Sequence, residues 1–349
     1  MTKKKGDKPM QSIAQNDLSP LQKEILKKWQ SKKQVGIPQS VKDELQIRFK
    51  GEVSFNEPMS KHTYIKIGGP AEVFLQPENK EALLYAVDLA KENIIPYYFH
   101  GSGANTLVRD GGVRGMVISV YNCLNEYKIL EQTDEYLDVY AESGLGFNKL
   151  VHITKDLGFA DLVPLTGIPG SLGGLVKMNA GTQVREMKDV IREITVLRDG
   201  VEVTLSREKL DFEYRNLKLP KTQAILAATL RLTDKQPPEQ IVEDLKRYQK
   251  RRSDTQPLDY PNLGSVFRNP QAGHRNEIVA TAGKLVDESG LKNVRVGGAR
   301  ISPKHANFII NEGDATAKDV LALIYLMKDK VKQTSGIVLE TEIKVIGEE

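Results

Sequence analysis

Apolar residues recur at helical spacing through Lys80–Glu92, where Leu83, Leu84, Val87, Leu89 and Ala90 form one stripe. Phe147–Leu157 repeats the pattern and stops at Gly158. Further helices are predicted within residues 20–34, with Ser19 as N-cap and Pro20 in the first turn, and within residues 35–50. Others are predicted over Glu239–Arg252, residues 276–288 and Thr316–Lys332. Short alternating or wholly apolar runs predict strands at Ala71–Gln76, Tyr97–Phe99, Val117–Val120, Ala224–Leu232, Ala306–Asn311 and Ile337–Ile346. Two hairpins are predicted. Tyr127–Ala141 turns at Thr133-Asp134-Glu135, and Ile194–Leu205 turns at Asp199-Gly200. Strands and helices do not alternate regularly, so the predicted class is α+β. Lys235-Gln236-Pro237-Pro238 interrupts the pattern and marks a domain boundary. The expected pieces are an N-terminal extension over residues 1–40, basic and flexible or helical, then domains over residues 41–234 and 235–349.

The longest departure from both periods is Gly167–Gly181, with five glycines, one proline and a single charged side chain. Glycine lets a ligand or another backbone approach closely, and unobstructed N–H groups suit an anion such as a pyrophosphate. A buried turn beside a core strand fits the stretch equally well when it is taken alone. A second such loop, Gly101-Ser102-Gly103-Ala104-Asn105, lies between two apolar runs, and Asp110-Gly111-Gly112 follows it. Two loops of this kind read as two clamps on one extended phosphate ligand.

Length and charge narrow the class. A chain of 349 residues can bury a sizeable core in two or three domains. The net charge of +4 is concentrated near the N-terminus, which does not favour nucleic acid as a partner. No apolar run approaches the roughly 20 residues of a membrane span. The Lys-rich start has no apolar segment behind it, so it does not read as a secretory signal. The single cysteine, Cys123, excludes an internal disulfide framework and fits a cytoplasmic protein. Five scattered histidines show no metal-ligand spacing, and no metal is expected.

Gly101–Asn105 begins like a dinucleotide-binding GxGxxG, but Thr106 stands in the last position and no regular βαβ unit surrounds it. Ser265 lacks the GxSxG elbow of α/β-hydrolases, because Phe267 occupies the last glycine's place. Tyr214-Arg215-Asn216 lies in a charged, turn-like segment where a solvated Arg is the default. Glu340 and Glu342 fall on one face of the predicted closing strand. His100 beside the first loop reads as a polar strand-end residue.

Several stretches in order carry a specific resemblance. They are Asn56-Glu57-Pro58, His62-Thr63 with Lys66–Ala71, Gly101–Asn105, and Gly167–Gly174 with Met178-Asn179-Ala180-Gly181. Tyr214-Arg215, Gln256-Pro257-Leu258, Gly264–Pro270, Ala282–Leu285 and Leu339–Glu342 follow. Together they resemble the UDP-N-acetylenolpyruvoylglucosamine reductases, from about Phe55 to Gly347, in the shorter type that lacks a Tyr-bearing insertion. The resemblance implies an FAD-binding domain of the vanillyl-alcohol-oxidase (PCMH) type, made of two subdomains, followed by a C-terminal α+β substrate domain. It implies non-covalent FAD, NADPH as co-substrate, and reduction of UDP-N-acetylglucosamine enolpyruvate to UDP-N-acetylmuramate in peptidoglycan precursor synthesis. A cytoplasmic monomer without membrane or nucleic-acid partners is expected.

By the same resemblance, Arg215, Ser265 and Glu342 are catalytic. Gly101, Ser102, Gly103, Ala104, Asn105, Gly167, Ile168, Pro169, Gly170, Ser171, Gly173, Gly174, Asn179 and Gly181 hold the cofactor, and Tyr214, Arg268 and Asn269 bind substrate. The chain departs from the family pattern in three places. Leu217 stands where a Ser is usual, Thr182-Gln183-Val184-Arg185 replaces Ala-Tyr-Gly-Gly, and Ala104 replaces a frequent Ser. Two other classes compete: an FAD oxidase of the same superfamily, and a non-catalytic flavin or nucleotide-sugar binder.

Overall fold

The protein is described as a computed structural model covering residues 36–349, apart from positions 122, 199, 221, 222, 273–276 and 279. The helix predicted within residues 20–34, and Asp199 of the second hairpin turn, lie outside the described residues.

Three packed units build the chain. The first is a four-stranded sheet in the order Gly51–Pro58, Pro70–Pro77, Val113–Ser119, Tyr97–His100. Its first two strands pair antiparallel, and the other pairings are parallel. Helix Lys80–Glu92 has the predicted bounds, and Asn79 caps it by accepting from Ala82 N at 2.9 Å. The stripe residues Leu83, Val87 and Ala90 share a core with Val73, Leu75, Met116 and Ile118. Helix Gln39–Arg48 adds Val41 and Leu45 to that core.

The second unit is a five-stranded antiparallel sheet ordered Tyr127–Gln132, Leu137–Glu142, Ala224–Leu232, Ile191–Arg198, Val201–Ser206. Both predicted hairpins are edges of this sheet. Helix Phe147–Asp156 buries Phe147, Leu150 and Val151 against it. Helix Pro238–Thr255 buries Ile241 and Leu245 in the same core. The break at residues 235–238 therefore does not coincide with the change of core, which comes after Thr255.

The third unit joins a small sheet of Arg295–Val296, Ala299–Ile301 and Ile309–Asn311 to helices Ala282–Glu288 and Ala317–Ser335. The final strand, Lys344–Ile346, returns to the first unit and pairs in parallel with Thr106–Val108. The C-terminal unit is thereby stitched directly behind the first glycine-rich loop.

Three predicted elements are shorter than expected. The helix predicted over 276–288 begins at Ala282, because Thr281 is its N-cap and accepts from Lys284 N at 3.3 Å. Glu277–Ile278 instead pairs with Gln271–Ala272 as a short strand. The strand predicted from Ala306 begins at Ile309, since Phe308 N closes a turn onto His305 O at 3.0 Å. The closing strand is only Lys344–Ile346, and the Glu340–Glu342 region is held by single bridges, such as Phe267 to Thr341. Glu340 is exposed while Glu342 is largely buried, so the two carboxylates do not share one environment as the strand pattern predicted. Among the described residues no helix is long and apolar enough to cross a membrane. Among them, too, no group of three or more His, Cys, Asp or Glu side chains is arranged to hold a metal.

Candidate active site

A cleft of about 2830 Å³ runs between the units and is lined by both glycine-rich loops and by the C-terminal segment. The first loop leaves the end of strand Tyr97–His100. Gly103 has φ +73, and a Cβ there would sit 2.1 Å from His62 O, so no other residue fits without rebuilding the loop. Gly103 O in turn accepts from Tyr64 N at 3.2 Å. His100 lies just behind, with Nε2 2.8 Å from His62 O, and burial pulls its pKa below the ordinary histidine value. It is packed as a strand-end residue.

The second loop faces the first. A Cβ on Gly101 would lie 3.1 Å from Ser171 Oγ, and one on Gly170 would lie 3.7 Å from Ser102 Oγ. A Cβ on Gly173 would meet Ser143 Cβ at 2.7 Å. Ser143 Oγ is buried and has no hydrogen-bond partner among the described residues. Two bare backbone segments in opposition, with an orphaned hydroxyl behind one of them, form a cradle that side chains would fill. FAD fits it by donor chemistry, since backbone N–H groups and serine hydroxyls suit a pyrophosphate. Every cofactor residue inferred from the resemblance lines this cleft except Asn179.

Asn179 stands apart from the others. It is 0% exposed, and its amide donates to Glu186 Oε2 at 3.1 Å and to Glu213 O at 3.0 Å. Its Oδ1 accepts from Lys188 N at 3.0 Å. With these bonds made, the Asn179 side chain is a clasp between the second loop and the hairpin that carries Arg215.

Arg215 sits at the tip of a hairpin between strands Phe212–Glu213 and Asn216–Leu217, with φ +57. A non-glycine residue in the left-handed region is uncommon and persists only where its surroundings hold it. Here Nη2 donates to Gly181 O at 2.7 Å, and Nη1 stands 3.5 Å from Glu186 Oε1. Nε reaches across to Glu342 Oε1 at 3.5 Å. The guanidinium also lies 4.9 Å from the Tyr214 ring centre.

Glu342 is held from the other side. Its N–H donates to Val266 O at 2.8 Å, and its carbonyl accepts from Asn105 Nδ2 at 3.4 Å. Burial raises its pKa above the ordinary glutamate value, against the opposing charges of Arg215, Arg268 and Lys344. Ser265 lines the cleft one residue before Val266, so backbone pairing fixes it beside Glu342. Arg268 donates through Nη2 to Arg215 O at 3.5 Å, and its Nε is buried with no partner among the described residues. Tyr214, Arg268 and Asn269 all line the cleft. Asn269 Oδ1, however, accepts from Ala282 N at 2.9 Å, so only its amide nitrogen remains for a ligand.

Sequence reasoning missed three supports. Ser143 gave no spacing signal. Lys177, on helix Leu172–Lys177, bonds to Asn216 Oδ1 at 3.3 Å and to Leu217 O, holding the Arg215 hairpin. Asn307 is buried and trades bonds with Phe267, accepting its N–H at 3.0 Å and donating to its carbonyl at 2.8 Å. One polar residue inside the apolar run Ala306–Ile310 was the available sign. Leu217 is wholly buried in the second core, and Arg185 pairs with Asp161 at 3.1 Å.

The fold and the cleft define an FAD-binding domain of two α+β lobes, faced by a C-terminal unit that brings its own charged residues to the site. Sequence comparison agrees. Residues 71–206 match the profile described as FAD binding domain, and residues 256–346 match the UDP-N-acetylenolpyruvoylglucosamine reductase C-terminal domain. The reductase of Geobacter metallireducens is 40% identical over 305 residues, covering 87% of this chain and 97% of the relative. That of Syntrophomonas wolfei is 40% identical over 298 residues, covering 85% and 96%. The crystal structure of UDP-N-acetylenolpyruvylglucosamine reductase (MurB) from Thermus caldophilus superposes with a TM-score of 0.70 at 33% identity, over 85% of this chain and 98% of that one. The chain belongs to the UDP-N-acetylenolpyruvoylglucosamine reductase family.

Proposed function

We infer that the protein reduces the enolpyruvyl group of UDP-N-acetylglucosamine enolpyruvate to give UDP-N-acetylmuramate, a precursor of peptidoglycan, with NADPH as the electron source. The observation that carries this reading at the residue level is the contact between Arg215 and Glu342 across the cleft, with Ser265 lining the cleft one residue before Val266, whose carbonyl accepts from Glu342 N. FAD bound in the cradle would supply the hydride-transfer chemistry that links NADPH to the enolpyruvyl group. The loops at Gly101–Asn105 and Gly167–Gly174 would hold its pyrophosphate, through the N–H groups not already bonded within the protein and the hydroxyls of Ser102 and Ser171.

The chain's own residues manage charge and the proton. Hydride addition at the terminal carbon leaves an enolate-like carboxylate. Arg215 stabilises it through a guanidinium already oriented by Gly181 O and Glu186. Arg268, partly buried and bonded through Nη2 to Arg215 O, adds a second cation. The remaining carbon takes a proton from Ser265. A serine hydroxyl is a weak acid, so it acts only against a strongly basic carbon and with nearby cations. Glu342, whose pKa burial raises above the ordinary glutamate value, would help place a proton at this point of the cleft. Tyr214 packs on Arg215 and fixes its direction. The single cysteine, Cys123, is buried, and a reducing cytoplasm suits both it and an NADPH-dependent reaction.

The test is anaerobic. The purified protein is expected to be yellow, to bleach with NADPH, and to recover its colour when the UDP-enolpyruvyl sugar is added. Bleaching without recovery would assign another electron acceptor, and a colourless protein unable to take up FAD would remove the flavoenzyme reading.

A further inference from the structure

Asp110-Gly111-Gly112 follows the strand behind the first glycine-rich loop, and none of the three lines the cleft. Their backbone is clamped from two sides. Gly69 N donates to Arg109 O at 3.1 Å, and a Cβ on Gly69 would lie 2.1 Å from Asp110 O. On the other side Arg109 N donates to Ile346 O at 2.9 Å, and Gly111 N donates to Glu348 O at 3.0 Å. A Cβ on Gly112, at φ +82, would meet Pro70 O at 2.0 Å, so only glycine fits there. These contacts fix the base of the Asp110 side chain.

That side chain reaches into another unit. Asp110 Oδ1 accepts from Ala317 N at 2.8 Å, and Oδ2 accepts from Lys318 N at 3.0 Å. Both N–H groups belong to the first turn of helix Ala317–Ser335, where intrahelical acceptors are lacking. The helix's own capping box serves other atoms. Thr316 Oγ1 accepts from Asp319 N at 3.1 Å, and Asp319 Oδ2 accepts from Thr316 N at 3.0 Å. The first two donors of the helix are therefore met by a carboxylate 207 positions upstream of Ala317, and a negative charge is what a helix N-terminus favours.

Glu342 lies on the chain that returns from this helix. The return ends in strand Lys344–Ile346, paired with Thr106–Val108, and Lys344 N donates to Asn105 O at 2.9 Å. The helix start and the closing strand are thus both tied to residues 105–112, and Glu342 sits on the chain between the two ties. Backbone groups make the strand tie, so it is open to many sequences. The helix tie depends on one carboxylate.

We propose that Asp110 is a positioning residue for Glu342, holding helix Ala317–Ser335 at the angle from which its returning chain delivers that carboxyl to Arg215. The proposal rests on the reductase reading for its kinetic readout, and its structural readout stands apart from that reading.

The experiment compares Asp110→Ala, Asp110→Asn and Thr316→Ala as holoenzymes. Each is reduced with NADPH and reoxidised by the UDP-enolpyruvyl sugar in stopped flow, with rates taken per bound flavin. Asp110→Ala is expected to slow reoxidation by about fivefold, the scale of a lost helix cap, and to leave FAD affinity unchanged, because both glycine-rich loops belong to other units. Asp110→Asn keeps one acceptor oxygen and should recover part of the rate. Thr316→Ala removes a cap of the same helix without cutting the tie, and should be reoxidised at the wild-type rate. Hydrogen exchange is the second readout. The Lys344 amide should exchange faster in Asp110→Ala and at the wild-type rate in Thr316→Ala. Wild-type reoxidation in Asp110→Ala overturns the proposal. So does an equal loss in Thr316→Ala, which would make Asp110 a cap for the helix alone. A wild-type enzyme that the sugar fails to reoxidise removes the reductase reading. The Lys344 amide then decides the placement: faster exchange in Asp110→Ala supports it, and unchanged exchange overturns it.

Discussion

Arg215 Nε and Glu342 Oε1 stand 3.5 Å apart, although the two residues belong to different units of the fold. Arg215 projects from a hairpin tied to the second glycine-rich loop through Gly181 and Asn179. Glu342 is carried by the segment that ends in the strand paired behind the first loop. The contact therefore reports how the C-terminal unit packs against the flavin cradle, and the pairing of these two charges depends on that packing. Replacing Arg215 by Ala should lower kcat by about a hundredfold or more while the protein stays yellow. Arg215→Lys, with a single point of charge, should recover only part. Stopped-flow reoxidation of the reduced enzyme by the sugar is the measurement. Unaltered reoxidation would remove Arg215 from catalysis.

Glu342 sets function against stability. Its carboxyl has a raised pKa, so the folded state disfavours the charged form. The stability this residue contributes is present below the ordinary glutamate range and is lost as pH rises through the raised value. Glu342→Gln should therefore match the wild type in urea midpoint at acidic pH and exceed it at neutral pH. Turnover should fall by about a hundredfold. Parallel urea curves across that pH range would place the buried charge elsewhere.

The glycine cradle makes a graded prediction. At Gly103 a methyl would meet His62 O at 2.1 Å in a left-handed backbone, so Gly103→Ala should give a colourless or insoluble protein. At Gly101 the methyl would meet only Ser171 Oγ at 3.1 Å. Gly101→Ala should fold normally and bind FAD about tenfold more weakly, because the methyl enters the space between the loops. Fluorescence titration of the apoprotein with FAD separates the two cases.

Much of the fold was legible because its signals are local. Helix Lys80–Glu92 carries its stripe and its Asn79 cap within a few residues, and the observed bounds match. Both glycine-rich loops could be found because each sets clustered glycines against neighbouring apolar runs. What was not legible was pairing at long range. Nothing between Ile337 and Ile346 announces that only the last three residues form a strand, since Thr106–Val108 chooses that register. The packing of helix Pro238–Thr255 was hidden for the same reason. A Pro-Pro break marks a turn, and the core that Ile241 and Leu245 enter is decided by the sheet they meet. At the site, Arg215, Ser265 and Glu342 came from resemblance, and no spacing rule joins them. Asn179 sat in the right motif but in a structural part. A buried Asn inside a glycine-rich loop looks the same in sequence whether it binds a ligand or its own backbone.

That reading of Asn179 has its own consequence. Asn179→Ala leaves the partly buried Glu213 O and Lys188 N without their side-chain partner, at a residue with φ +40. The loss should be about 2 kcal/mol of stability, from unsatisfied buried groups. A direct flavin contact would behave differently. Its removal would weaken FAD while leaving the apoprotein's denaturation midpoint in place. Urea denaturation of the apoprotein decides between them, and a fall there is expected.

Arg185 belongs to the stretch where the chain departs from its family, and its partner explains what it does. Asp161 is 1% exposed and accepts from Thr233 N at 3.0 Å, Asp234 N at 2.8 Å and Arg185 Nη1 at 3.1 Å. Burial raises the Asp161 pKa, with Arg185 and the two backbone donors working against it. Removing Arg185 takes away the cation and leaves a buried carboxyl that resists ionisation further. A raised carboxyl pKa means stability that is kept at low pH and lost as pH rises through that value. Arg185→Ala should therefore cost about 3 kcal/mol at neutral pH and much less at acidic pH. Asp161→Asn in the same background should recover much of the neutral-pH loss, because a neutral amide oxygen still accepts from the backbone. Flavin binding and turnover per folded molecule should change little, since Arg185 acts on the fold rather than on the cleft's reacting residues. Thermal unfolding of the single and double variants at the two pH values is the measurement. A pH-independent loss would show that Arg185 stabilises by packing instead of by charge.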